Sequence, residues 1–187
     1  QGDLQGEHDI LACLKHYALY GASEAGRDYN TVDMSHLRMF NQYFPPYKAA
    51  VEAGVESVMT SFNLVDGQHA TANPWLVDEI LRKTWGFKGF VVTDYASIQE
   101  MTSHGFGDLK TNATRALKAG TDMDMCSNAF IRHGEEALRE GLITMKDINQ
   151  ACRRVLEAKY KLGLFADPYK HCSMTEEQQA QHIFTQE

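Results

Sequence analysis

The chain has 187 residues, 43% of them hydrophobic and 10% aromatic, and its 18 Lys and Arg against 25 Asp and Glu leave a formal charge of −7. That is enough apolar material for one buried core and too much for intrinsic disorder. The acidic balance without a Lys/Arg tract argues against a nucleic-acid or anionic-membrane surface, and no apolar run approaches the roughly 20 residues of a membrane helix.

The sequence starts at Gln1 rather than Met, with no charged and apolar leader behind it, and reads as a processed or excised segment. A short apolar run at 11–17 predicts the first strand. A polar, aromatic, Gly-rich loop follows at 20–30, and a helix begins near Ser35 that Pro45 and Pro46 must kink or split before Gly54 ends it. The second strand is predicted at 57–63. Asn73 with Pro74 behind it is a helix start, and Leu76, Ile80 and Leu81 carry the apolar face to a stop at Gly86.

A third strand is predicted at 89–95, where Phe90, Val91 and Val92 read as a buried parallel strand because they do not alternate. A further helix ends at Gly120, and the fourth strand is predicted at 120–125. Thr144 with Asp147 three residues on opens a helix whose face is Ile148, Ala151, Val155 and Leu156, up to Gly163. From Asp167 the chain turns polar, with Gln178, Gln179, Gln181 and Gln186, as a linker would.

Four strand-then-helix units make an α/β fold with a parallel sheet. They fit either a small open sheet or half of an eightfold barrel, which takes about 250 residues in full. Cys13, Cys126, Cys152 and Cys172 lack regular spacing and read as core or bystander thiols.

Catalytic side chains of parallel α/β folds gather where strands run into the following loops. The polar residues there are Lys15 and His16, Ser61 and Asn63, Asp94, and Asp122 and Asp124. Asp94 ends a buried strand, which suits a fixed nucleophile or base; a helix cap for the segment near Ser97 is the competing reading. Lys15 reads either as reaching a polar ligand or as extending to solvent. Asp122 and Asp124 lack calcium-loop spacing and read as structural. His69, His104 and His133 read as loop or surface residues. No zinc motif, dinucleotide loop or phosphate loop occurs, so neither metal nor cofactor is implied.

Five stretches in order then carry a resemblance: Lys15-His16-Tyr17, Gly26-Arg27-Asp28-Tyr29, Ser57 through Asn63, Trp85-Gly86-Phe87-Lys88-Gly89 and Val92-Thr93-Asp94-Tyr95. Together they resemble family 3 glycoside hydrolases of the bacterial periplasmic β-glucosidase type, from Leu11 to Asp167-Pro168-Tyr169. The resemblance implies a TIM-like (β/α)8 barrel of which 1–166 is the second half, with 167–187 the start of a linker. It implies a retaining exo-β-glucosidase with Asp94 as nucleophile and with Lys15, His16, Arg27, Met59 and Phe62 around the sugar. It further implies a β-linked glucoside as partner, a periplasmic or secreted location, and an acid/base glutamate and a first barrel half lying outside this stretch, so that the 187 residues alone are inactive. Lys15 and Arg27 would keep the nucleophile ionised.

Two departures stand out. Phe62 occupies a position where many relatives carry Tyr, and Lys15-His16-Tyr17-Ala18-Leu19-Tyr20-Gly21 stands where the N-acetylglucosaminidase branch has its histidine-rich loop. A β-xylosidase of the same family and a non-catalytic sugar-binding barrel remain open, as does an aldolase using Lys15 as a Schiff base, which the ordered motifs disfavour. Glu24, Asp28 and Asp66 are further carboxylates, none matching the family acid.

Overall fold

The computed structural model describes residues 1–4, 6, 9–169, 172 and 174–183. The polar tail's Gln186 lies outside them. Strand β1 (Cys13–Tyr17) is followed by two single-turn helices, Tyr20–Ala22 and Glu24–Gly26, and by β2 (Thr31–Val32). Ser35 caps α1 (His36–Arg38) by accepting from the Arg38 N–H, and a π-helical turn, Met39–Tyr43, joins it to α2 (Phe44–Glu52). The predicted split is therefore real. Pro45 and Pro46 fall in the first turn of α2, where a missing N–H costs no hydrogen bond.

Next come β3 (Ser57–Thr60), β4 (Leu64–Val65), β5 (Gln68–His69) and a π-helical segment, Trp75–Thr84, whose first N–H groups at Trp75 and Leu76 donate to Asn73 Oδ1. β6 (Phe90–Val92) leads into α3 (Ser97–Ser103), α4 (Leu109–Ala119), α5 (Ala129–Arg139), α6 (Met145–Lys161) and α7 (Glu176–Ile183). The last lies in the stretch predicted as linker. α6 opens on the expected Thr144–Asp147 capping box.

The main sheet is parallel with order β1-β3-β6. The fourth predicted strand is reduced to a single parallel bridge, Val92 to Met123, supported by Asp122 and Met123 N–H groups donating to Val91 O. A small second sheet, β2-β4-β5, was not foreseen. Its hairpin turns on Asp66 and Gly67 at φ +52° and +72°, the pair of positive angles that a tight two-residue turn requires. The Asp-Gly between Leu64-Val65 and Gln68-His69 was the available signal.

Gly89 lets β6 lie against β3, since a Cβ there would sit 2.0 Å from Glu56 O. The core packs Tyr17, Val58 and Val91 from the sheet against Met39, Phe44, Leu76, Val77 and Leu81 from the helices. Tyr17 is fully buried, and its hydroxyl donates to Leu76 O.

Two sequence readings are corrected by burial. His69 is 1% exposed rather than a surface residue, because β5 turns it inward where Nδ1 accepts from the Thr71 N–H and the rings of His104 and Phe106 approach edge-on. The four cysteines, by contrast, are free and exposed, which leaves the bystander half of their reading. Ser61 and Asn63, expected at the active face, are fully buried; their side chains donate to Ala18 O and tie the loop after β3 to the loop after β1.

Candidate active site

Parallel pairing puts the C-terminal ends of β1, β3 and β6 side by side, so His16, Phe62 and Asp94 arrive at one edge of the sheet. His16 sits where the register of β1 against β3 shifts between Leu14 and Tyr17. Its carbonyl accepts from Tyr47 Oη at 2.7 Å, while its ring is directed outward and places Nε2 3.6 Å from Asp94 Oδ2.

Asp94 leaves β6 at the point where Thr93 is fully clamped: the Thr93 N–H donates to Met123 O and its Oγ1 accepts from the Met125 N–H. The carboxylate is 16% exposed. Its Oδ1 accepts from the Tyr95 N–H at 2.7 Å, which leaves Oδ2 toward His16. The competing helix-cap reading fails here, because the capping position of α3 is Ala96, with no side-chain bond to the helix.

Burial lowers the pKa of His16 below 6.5, the neighbouring Lys15 charge lowers it further, and Asp94 pulls the other way. The ring is accordingly neutral at pH 7, a donor and acceptor rather than a fixed cation. Lys15 and Arg27 are both exposed, and among the described residues neither forms an ion pair with Asp94. The expected cationic clamp on the carboxylate is therefore absent, and the group that reaches it is the imidazole.

Met59 is half-buried and pairs in register with Val92, beneath the same edge. Phe62 is 7% exposed. Around it stand two rings, Tyr20 at 6.1 Å and Tyr29 at 4.5 Å between centroids. Tyr20 also meets the His16 ring edge-on at 5.4 Å. Burial, followed by the charge of Asp28, pushes the Tyr20 phenol up to about 12. Both tyrosines come from the polar, aromatic loop at 20–30, and Tyr29 also ends the Gly26-Arg27-Asp28-Tyr29 stretch.

Asp122 and Asp124 are structural, as predicted. Asp122 accepts from buried Arg82 at 2.5 Å, from Arg154 at 2.7 Å and from the Val91 N–H. Asp124 accepts from the Ser127 and Ala129 N–H groups at the head of α5. A cavity of about 600 Å³ beside His69, Met101 and Phe106 and another of about 360 Å³ beside Phe130 and Ile148 lie away from Asp94. No group of three or more His, Cys, Asp or Glu among the described residues is placed to hold a metal, and no helix there is long and apolar enough to cross a membrane.

An open sheet edge with one carboxylate, one neutral imidazole and a wall of aromatic rings suits a polyhydroxylated ring and nucleophilic or acid–base chemistry at one of its carbons. Comparison with known proteins points the same way. Residues 2–158 match the glycosyl hydrolase family 3 N-terminal domain. The periplasmic β-glucosidase of Salmonella typhimurium is 44% identical over 165 residues, which is 88% of this chain and 22% of that protein. A β-xylosidase of Formosa agariphila is 38% identical over 175 residues, covering 88% of this chain and 24% of that protein. The crystal structure of a Listeria innocua β-glucosidase in complex with isofagomine superposes with a TM-score of 0.92 at 37% identity, covering 99% of this chain and 26% of that one. The chain thus spans about a quarter of the length of these relatives.

Proposed function

The chain belongs to glycosyl hydrolase family 3, and from that premise we propose that it is the nucleophile-bearing part of a retaining exo-β-glucosidase. The observation that carries this reading is Asp94 Oδ2 facing His16 at the open end of a parallel sheet. The order β1-β3-β6 with the Met123 bridge supports 1–166 as half of a (β/α)8 barrel, whose free edges at β1 and Met123 the other half pairs, and 167–187 as the start of a linker.

In this reading an oxygen of Asp94 attacks the anomeric carbon while the bond to the leaving oxygen breaks. That oxygen takes a proton from a second carboxyl contributed from outside the 187 residues. Water, deprotonated by the same group, then attacks the anomeric carbon and frees Asp94. His16 and Lys15 hold hydroxyls of the terminal sugar, Phe62 and Met59 form its floor, and Arg27 lies at the rim. The 187 residues alone are inactive for want of the acid. The partners are a β-linked glucoside and the rest of the same chain, with no nucleic acid or membrane. The name of the Salmonella relative supports a periplasmic or secreted location.

A 2-fluoro glucoside with a good leaving group, given to the full-length protein, is expected to label the peptide containing Asp94. Label on any other peptide sinks the assignment. β-Xylosidase activity is a second reading, favoured by the Formosa relative; kcat/KM for paired glucosides and xylosides decides between them.

A further inference from the structure

Tyr29 is a bulky residue held at φ +67°, in a left-handed region that side chains seldom enter. Such strain persists only where the surroundings enforce it, and it gathers at ligand sites. Here the turn is pinned by the Asn30 N–H donating to Arg27 O and by Asn30 Nδ2 donating to Glu24 O. The effect is to lay the Tyr29 ring over Phe62, with centroids 4.5 Å apart and planes inclined by 41°.

The pair forms a step from closed to open. Phe62 is 7% exposed, Tyr29 38% and Tyr95, next to Asp94, 65%. Burial and then the charges of Glu100, Asp28 and Asp94 raise the Tyr29 phenol above 10.0, so the ring stays neutral beside these carboxylates. An exo-acting enzyme holds the terminal sugar at the inner end and lets the departing group leave outward. A partly exposed ring tilted against a buried one attracts a flat group with an apolar face.

We propose that Tyr29, seated on Phe62, is the specificity-determining platform for the leaving group, favouring a second pyranose ring or an aryl alcohol over a small leaving group. This rests on Asp94 being the nucleophile of a glycosidase. The platform contacts the departing half of the substrate, so its removal weakens only substrates that possess a ring there.

The test uses the full-length protein as wild type, Tyr29→Ala and Tyr29→Phe. The substrates are p-nitrophenyl glycosides, β-linked disaccharides and glycosyl fluorides, each in a glucosyl and a xylosyl series. Tyr29→Ala is expected to lower kcat/KM about 10-fold for the first two and to stay within about twofold on the fluoride, while Tyr29→Phe keeps all three. The fluoride rate also reports that the variant is folded. Equal loss on the fluoride, or no loss on any substrate, overturns the platform alone. A wild-type protein inert toward every substrate overturns the glycosidase reading and the platform with it.

Discussion

His16 Nε2 lies 3.6 Å from Asp94 Oδ2, although the two residues come from strands that do not touch and are separated by β3. Because burial and Lys15 hold the imidazole below 6.5 and Asp94 partly restores it, the titration of His16 reads out the Asp94 charge. In full-length protein with labelled histidine, the NMR midpoint of His16 is expected below 6.5 and lower still in Asp94→Asn. A midpoint unmoved by that substitution would break the pairing. His16→Ala is expected to cost about 10- to 100-fold in kcat/KM, as loss of a hydrogen bond to a sugar hydroxyl would.

His69 makes folding sensitive to acid. Its buried imidazole, next to His104, is pushed down to about 3, against 6.5 for the free side chain. The unfolded chain therefore binds a proton that the folded one refuses. The stabilisation is complete above pH 6.5 and drains away as the pH falls toward 3. By about pH 5 the loss is roughly 2 kcal/mol. Thermal melts of His69→Gln are expected to show a smaller drop between neutral and acidic buffer than wild type, and parallel drops would refute the assignment.

Asp122 ties three elements together. Its side chain is 1% exposed and holds Arg82 from the π-helical segment and Arg154 from α6 against the end of β6. Burial pushes the Asp122 carboxyl up and Arg82 down to about 10, while the opposite charges resist both shifts. Asp122→Asn leaves two guanidiniums facing a neutral amide, and about 3 to 5 kcal/mol of stability is expected to go with the charge. An unchanged Tm would show that the arginines find other partners.

The elements most legible in the sequence were those fixed by local chemistry. Thr144 and Asp147 name a capping box, Pro45 and Pro46 name a helix break, and the unbroken apolar run at Phe90 to Val92 names a buried parallel strand. The ordered motifs from Lys15 to Asp94 also sufficed for the family, since residue identity and spacing are all that a family pattern requires.

What the sequence could not decide was which polar group meets which. Ser61 and Asn63 stand at a strand end as candidates for chemistry should, yet the fold commits them to buried hydrogen bonds. His69 looked like a loop residue because two-residue strands leave little periodicity, and only the packing of β5 beneath His104 and Phe106 buries it. Sequence by itself determined the α/β order of elements and the family, because caps, breakers and apolar runs act over a few residues. Tertiary structure alone decided that the imidazole of His16, and not the charges of Lys15 or Arg27, faces Asp94, because that choice depends on how parallel strands distant in the chain are set in register.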